Sequence, residues 1–281
     1  MPTIEPIKDS DLPEVSKFLH ENMNSSIPVG QWMEPFQQQW IADKPNNGFK
    51  LMEGEQMVGV FQVIYSERMH DGRMVRFGNL VNWYVLEPYR KGATSIGMLK
   101  TILGQEGIQF FANTPSPTVV RIYQRLKFEF PPLGKALIPA LPWISSSVQV
   151  LSRSEDIEAS LDAATLKIYR DHKVLPKIHH VVLKCGDEWC YFIYKKVALR
   201  NVLPCASLLH VSNPEFFRKH YMVLGSHLFL RRRAVLMSVD MRFLSSKPTL
   251  SLLWKRTQPT AFQKGPIDAK HINNLYSELM F

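Results

Sequence analysis

Residues 80–103, LVNWYVLEPYRKGATSIGMLKTIL, constrain the fold of this chain more than any other stretch. The apolar, aromatic run Leu80–Leu86 reads as a strand. Pro88-Tyr89-Arg90 turns a corner, small residues follow, and the next segment carries Ile96, Leu99, Ile102 and Leu103 at helical spacing. A strand that passes through a Gly/Ala/Ser/Thr loop into a helix points backbone N–H groups and the positive end of the helix at one place. That geometry holds a phosphate without any special side chain. It also commits the chain to layered α/β packing, because the strand needs a sheet and the helix needs a face to lie on.

The flanking sequence supplies both. Thr3–Ile7 reads as a short strand. Asp11-Leu12-Pro13-Glu14 has the form of a capping box with proline in the first turn, predicting a helix with Leu12, Val15, Leu19 and Met23 on its apolar face. Ser25–Pro28 breaks it, a second helix carries Trp32, Met33, Phe36 and Trp40, and Lys44–Gly48 is a loop. Phe49–Met52 and Met57–Tyr65 form a hairpin about Glu53–Gln56, and His70-Asp71-Gly72 returns the chain into Met74–Leu86. Beyond Leu103 come a strand (Ile108–Ala112), a loop (Asn113–Pro117), a helix (Val119–Leu126) and a strand starting at Phe128–Phe130. The order is β-α-α-β-β-β-α-β-α-β.

Prolines cluster between Pro131 and Pro142 and mark a change of architecture, which divides the chain into domains of residues 1–145 and 146–281. Ser154-Glu155-Asp156-Ile157-Glu158 opens a helix running to about Arg170. Ile178–Cys185 and Trp189–Val197 are strands about the Gly186–Glu188 turn, and Ala206–Val211 is a third. Asn213 caps a helix from Pro214 to Leu230 with Phe216, Phe217, Met222 or Val223, and Leu224 among its apolar residues. Ala234–Val239 is again a strand, and Leu250–Trp254 another. The second half therefore reads α-β-β-β-α-β, matching the middle of the first half and predicting a repeated half-fold without sequence identity.

With 281 residues, each half is long enough to bury a core. No run of about 18 apolar residues occurs, so no membrane span is expected. The start, MPTIEPIKDSDLPEV, lacks a basic region followed by an apolar stretch. Three cysteines without zinc spacing (Cys185, Cys190, Cys205) suit free thiols in a cytoplasmic protein with no bound metal. The net charge of +9 attracts polyanions or phosphate-bearing substrates. That charge is scattered, and its one tight run, Arg231-Arg232-Arg233, ends a helix, where the dipole alone favours cations. Nucleic-acid binding is thus the minor expectation, and anionic lipid headgroups and small phosphate-bearing substrates stay open.

The element order, the Val85–Arg90 corner and the loop-to-helix transition resemble the GNAT superfamily of acyl-CoA-dependent N-acyltransferases. The family's Arg/Gln-x-x-Gly-x-Gly/Ala loop corresponds here to Arg90-Lys91-Gly92-Ala93-Thr94-Ser95, with Ala93 and Ser95 departing from the pattern. Both are small, so backbone can still approach a pyrophosphate, and Ser95 adds a hydroxyl. Tyr123 falls on the family's tyrosine, and Leu126-Lys127-Phe128 on its L-G-F turn, with lysine replacing glycine. The resemblance is specific over residues 48–130 and architectural in the second half, which looks like a degenerate GNAT-like domain without a CoA loop.

The resemblance implies a mixed α/β sheet, acetyl-CoA or another acyl-CoA as cosubstrate, and attack of an amine in a ternary complex. It places Arg90, Lys91, Gly92, Ala93, Thr94 and Ser95 at the pyrophosphate, and the backbone of Tyr84 and Val85 along the pantetheine. Tyr123 would protonate the departing thiolate, as a phenol near pKa 10 can. Asn113 would hold the pantetheine or the acceptor, or serve as a turn or helix-cap residue. No carboxylate base lies within Leu80–Leu86, where Asn82 occupies the strand as a catalytic-site candidate. Glu67, with His70 and Asp71, sits near the preceding turn and is the candidate base, and a water chain would need no dedicated residue. The expected acceptor is an anionic small-molecule amine such as a nucleotide-linked amino sugar. Two rivals remain: a catalytically inactive CoA-binding interaction protein and a basic nucleic-acid-binding module.

Overall fold

Val, Ile, Phe and Tyr are frequent in two long strands in the first half of the chain, Gln56–His70 and Arg73–Val85, and these form the middle of its sheet. The computed structural model describes residues 2–38, 40–70, 72–90, 93–131, 134–244, 251, 253–256, 260–263, 265, 267, 268, 275 and 276. Two compact units result: residues 1–130, 259–269 and 276–281, and residues 131–258 with 270–275.

In the first unit the strands are β1 (Thr3–Pro6), β2 (Gly48–Glu53), β3 (Gln56–His70), β4 (Arg73–Val85), β5 (Ile108–Ala112) and β13 (Ala261–Phe262). They lie in the order β1-β2-β3-β4-β5-β13. Neighbours are antiparallel except β5, which runs parallel to β4. Helices α3 (Ala93–Leu103) and α4 (Pro117–Arg125) contribute Met98, Leu99, Ile102 and Tyr123 to one core with Phe61, Val63, Leu80 and Phe110. On the opposite face, Phe18 of α1 (Leu12–Asn22) meets Tyr84 edge-on at 6.1 Å between ring centres.

Several local expectations are corrected. Asp11 does not cap α1; its carboxylate accepts the Lys8 N–H at 2.9 Å across a short 3-10 turn and pairs with Lys50. Phe18, not Met23, completes the buried stripe of α1. The second helix, α2 (Val29–Met33), stops early because Pro35 has no N–H to continue it; Phe36 sits in a 3-10 turn and Trp40 is buried beyond it. In α3 the core position goes to Met98, while Ile96 is half-buried. Phe128–Phe130 forms no strand, only a bridge from Glu129 to Phe262.

The second unit holds β6 (Gly134–Pro139), β7 (Gln149–Leu151), α5 (Ser154–Ser160), α6 (Ala163–His172), β8 (Ile178–Cys185), β9 (Glu188–Leu199), β10 (Leu203–Val211), α7 (Pro214–Arg232), β11 (Leu236–Asp240) and β12 (Leu253–Arg256). Its sheet order is β12-β6-β11-β10-β9-β8-β7. Residues 131–145, expected in the first domain, belong here, since β6 pairs antiparallel with β11 from Lys135↔Asp240 to Pro139↔Leu236. Residues 259–269, expected in the second domain, return to the first unit through β13. The single helix expected over 154–170 is two, because Leu161 is extended and Asp162 restarts the helix by accepting the Thr165 N–H at 2.7 Å. None of the described helices is long and apolar enough to cross a membrane.

Candidate active site

The first sheet opens along its length. β4 and β5 pair from Arg76↔Ile108 to Asn79↔Phe111, and from Leu80 onward β4 has no β5 partner. Within this unpaired part the β3–β4 register shifts, with one extra residue on β4 opposite Phe61. Asn82 takes up the shift in the left-handed region, at φ +50°. Such a bulge bends its strand and frees backbone groups from the ladder. Around the bulge the rings diverge: Trp83 stacks on Phe61 at 4.5 Å, while Tyr84 meets Phe18 on the other face.

β4 then delivers the chain to the loop. Tyr89 is tied to the Glu53 carboxylate through its hydroxyl. Arg90 Nε donates to the Val85 carbonyl at 2.7 Å, and its guanidinium lies 5.2 Å from the centre of the Tyr84 ring. One carbonyl expected to face a pantetheine arm thus already accepts a bond from Arg90. Lys91 and Gly92 lie outside the described residues. Ala93 opens α3, and Thr94 and Ser95 are half-buried in its first turn.

Tyr123 is buried in one core with Leu80, Phe110 and Ala112 and stacks on Phe128 at 4.6 Å. Burial pushes its phenol above the usual 10, so the group stays protonated at neutral pH. Among the described residues no protein group bonds its hydroxyl. The turn that brings Phe128 back against the ring needs a left-handed residue, and Lys127 supplies it at φ +61°. Lysine in place of glycine therefore preserves the turn. Asn113 is buried just after β5, where its carbonyl accepts from Thr260 at 3.3 Å. It is not the helix cap; Ser116 takes that role, accepting the Val119 N–H.

Sequence reasoning missed an amide cluster. Asn82 Nδ2 donates to Gln62 Oε1 at 2.8 Å. The remaining Gln62 nitrogen is buried without a partner, and so are both amide atoms of Asn79, which is 2% exposed. Asn79 and Gln62 lie diagonally across β3 and β4, on the face turned away from α3. Buried amides left unpaired cost about 1–3 kcal/mol each unless water or a ligand reaches them. Their sequence signal is faint: polar amides inside the otherwise apolar runs VGVFQVIY and FGNLVNWYV.

Glu67 does not join this group. It opposes Arg76, where β4 is still paired on both sides, and forms an ion pair with it at 3.0 Å. Among the described residues no three His, Cys, Asp or Glu side chains gather as a metal site.

No protein-family model matches the sequence, and no curated protein does either. Solved structures match over nearly the whole chain. A GCN5-related N-acetyltransferase from Anabaena variabilis superposes with a TM-score of 0.61 at 11% identity, covering 93% of this chain and 72% of that one. Another from Kribbella flavida gives 0.61 at 13%, covering 93% and 70%. A tandem GNAT protein from the clavulanic acid biosynthesis pathway gives 0.59 at 11%, covering 95% of this chain and 100% of its own. The chain has the tandem GNAT fold. Both halves take part in it, as the repeated element order anticipates. At these identities the likeness establishes the tandem GNAT fold alone.

Proposed function

We propose that the protein is an acyl-CoA:amine N-acyltransferase with its one cofactor site in the first unit. The observation that carries this reading is the opening between β4 and β5 past Asn79, with the Asn82 bulge in it and Tyr123 buried in the same core as Leu80 and Ala112 of these strands. In this reading the pantetheine arm lies along the unpaired edge of β4 at Tyr84 and Val85. Arg90 to Ser95 and the start of α3 take the pyrophosphate, and Asn113 flanks the arm from the end of β5.

The reaction is direct attack in a ternary complex. The amine lone pair forms the C–N bond at the thioester carbonyl, the C–S bond breaks, and the electron pair leaves on sulfur. Tyr123 gives that thiolate its proton, and the proton lost by the amine passes through water and restores the phenol. Asn82, Gln62 and Asn79 orient the amine and its water from the opposite face; amides bind and position but are not bases. The acyl group is acetyl or another short chain. The net charge of +9 favours an anionic acceptor such as a nucleotide-linked amino sugar. The three unbridged cysteines are in keeping with a cytoplasmic location.

Thiol release from acetyl-CoA across a panel of amines tests this directly. Turnover with at least one anionic amine is expected. CoA binding with no thiol release from any amine would instead make the protein a CoA-binding interaction module.

A further inference from the structure

The second unit carries a concavity that the acyl-transfer reading does not use. It has a volume of about 650 Å³ and lies between the C-terminal turns of α7 and the segment leading into β7. Three large apolar side chains line it while facing solvent: Trp143 is 53% exposed, Ile144 95% and Leu230 64%. Solvent-facing apolar groups gathered around one hollow mark a binding surface more than singly scattered ones do. The volume falls within the range of small-molecule sites, about 300–1,000 Å³.

Its polar end is one-signed. Arg231, Arg232 and His227 line it, and among the described lining residues there is no carboxylate. Arg232 Nε is held by the Tyr194 hydroxyl at 3.1 Å, which fixes one guanidinium at the rim. His227 Nε2 is buried without any hydrogen-bond partner. Burial and the two arginines hold this imidazole well below its usual 6.5, at about 4, so it is neutral and one ring nitrogen is unsatisfied. An anionic head group would satisfy that atom and the guanidinium charges together, since arginine recognises carboxylate with paired N–H bonds. The apolar lining asks for a hydrocarbon body. It also argues against a polyphosphate strand, which would need cations along its length.

We infer that this groove binds a small amphipathic carboxylate, with the head group at Arg231, Arg232 and His227 and an aliphatic or aromatic body against Trp143, Ile144 and Leu230. The inference is independent of the acyl-transfer reading.

The test is calorimetric titration of the full chain with decanoate, decanol and acetate, using Ile144→Asp and Arg231→Glu as variants. Both positions are exposed, so the fold tolerates the changes. Saturable decanoate binding is expected, at least tenfold tighter than decanol, with acetate undetectable and each variant weakening decanoate at least tenfold. Equal affinity for decanol and decanoate would reduce the groove to an apolar patch and overturn the proposal. Decanoate binding unmoved by either variant would place the ligand elsewhere. No decanoate binding, with self-association abolished by Ile144→Asp, would make the occupant a second copy of the chain.

Discussion

The two units share a plan and differ where it matters for binding. In each, a hairpin turns on a left-handed glycine, Gly54 between β2 and β3 and Gly186 between β8 and β9. In each, the fourth strand pairs in parallel with its neighbour only over its first part, and its register with the preceding strand shifts by one residue. The junctions then part company. Residues 86–92 separate β4 from α3, whereas Ser212 and Asn213 alone separate β10 from α7. That short junction is fastened to β9: Ser212 Oγ accepts the Tyr191 N–H at 2.8 Å, and the Asn213 N–H meets the Cys190 sulfur at 3.3 Å. Asn213 also closes the helix start by accepting the Phe216 N–H, and Pro214 has no N–H to offer. On the sheet face where the first unit leaves the Asn79 amide and the Gln62 nitrogen unpaired, the second packs rings, with Tyr191 bonded to His180 at 2.7 Å and Tyr169 edge-on to both. A repeated sheet is thus not a repeated site. The long junction and the unfilled polar face set the first copy apart, and in the acyl-transfer reading they make it the one that takes the cofactor.

The comparison can be broken most severely at the strand starts. Gly48 opens β2 at φ +104°, and a Cβ there would lie 2.2 Å from the Phe61 carbonyl. Gly48→Ala should destabilise the first unit by roughly 3 kcal/mol or more in chemical denaturation. At the matching place before β8, Lys177 already sits at φ +68°, so Lys177→Gly should cost nothing or gain slightly. Next in size is catalysis. Tyr123→Phe should lower kcat on the order of 100-fold at neutral pH while leaving the CoA Kd unchanged; Tyr191→Phe should leave kcat untouched. Unchanged turnover in the first variant would remove Tyr123 as the acid.

Smaller effects sharpen the contrast between junctions. Arg90→Ala should weaken CoA roughly tenfold, or about 1.4 kcal/mol, in a binding titration. Asn213→Ala should leave CoA binding alone and cost about 1 kcal/mol of stability as a lost cap. The smallest effect concerns pH. His227 has a folded pKa of about 4, below its ordinary 6.5, so the folded state resists its protonation. Its contribution is full above pH 6.5 and is lost as pH falls towards 4. His227→Gln should flatten the stability curve in that window, by less than about 1.4 kcal/mol per pH unit because the ring is partly solvated.

What the sequence disclosed follows from how local each signal is. The hairpins were legible because Gly54 and Gly186 stand between alternating strands, and α7 because Asn213-Pro214 is a helix start. The helices after β4 and β5 were legible from the same kind of local signal, apolar residues at helical spacing behind a turn. β6 was not: Gly134, Ala136 and Ile138 alternate inward, but flanking prolines masked the pattern, and its partner β11 lies about a hundred residues on. The parting of β4 and β5 is a long-range matter of register. Asn79 sits in a run that reads as buried strand, so its missing partners appear only once the neighbours are known. Glu67 stands beside a turn in the sequence, and only the strand register sets Arg76 opposite it.

Strand β13 gives the order of synthesis a structural meaning. Ala261 and Phe262 cover the outer edge of β5, and Gln109 is held through the Gln263 and Ile267 carbonyls at 3.2 and 2.8 Å. On the ribosome, all of residues 131–258 must be made before that edge finds its partner. The nascent first unit therefore waits with an open strand, the kind of edge that recruits foreign chains. A fragment ending at residue 145 would keep that edge permanently bare, so the first unit cannot be cut free as a clean module.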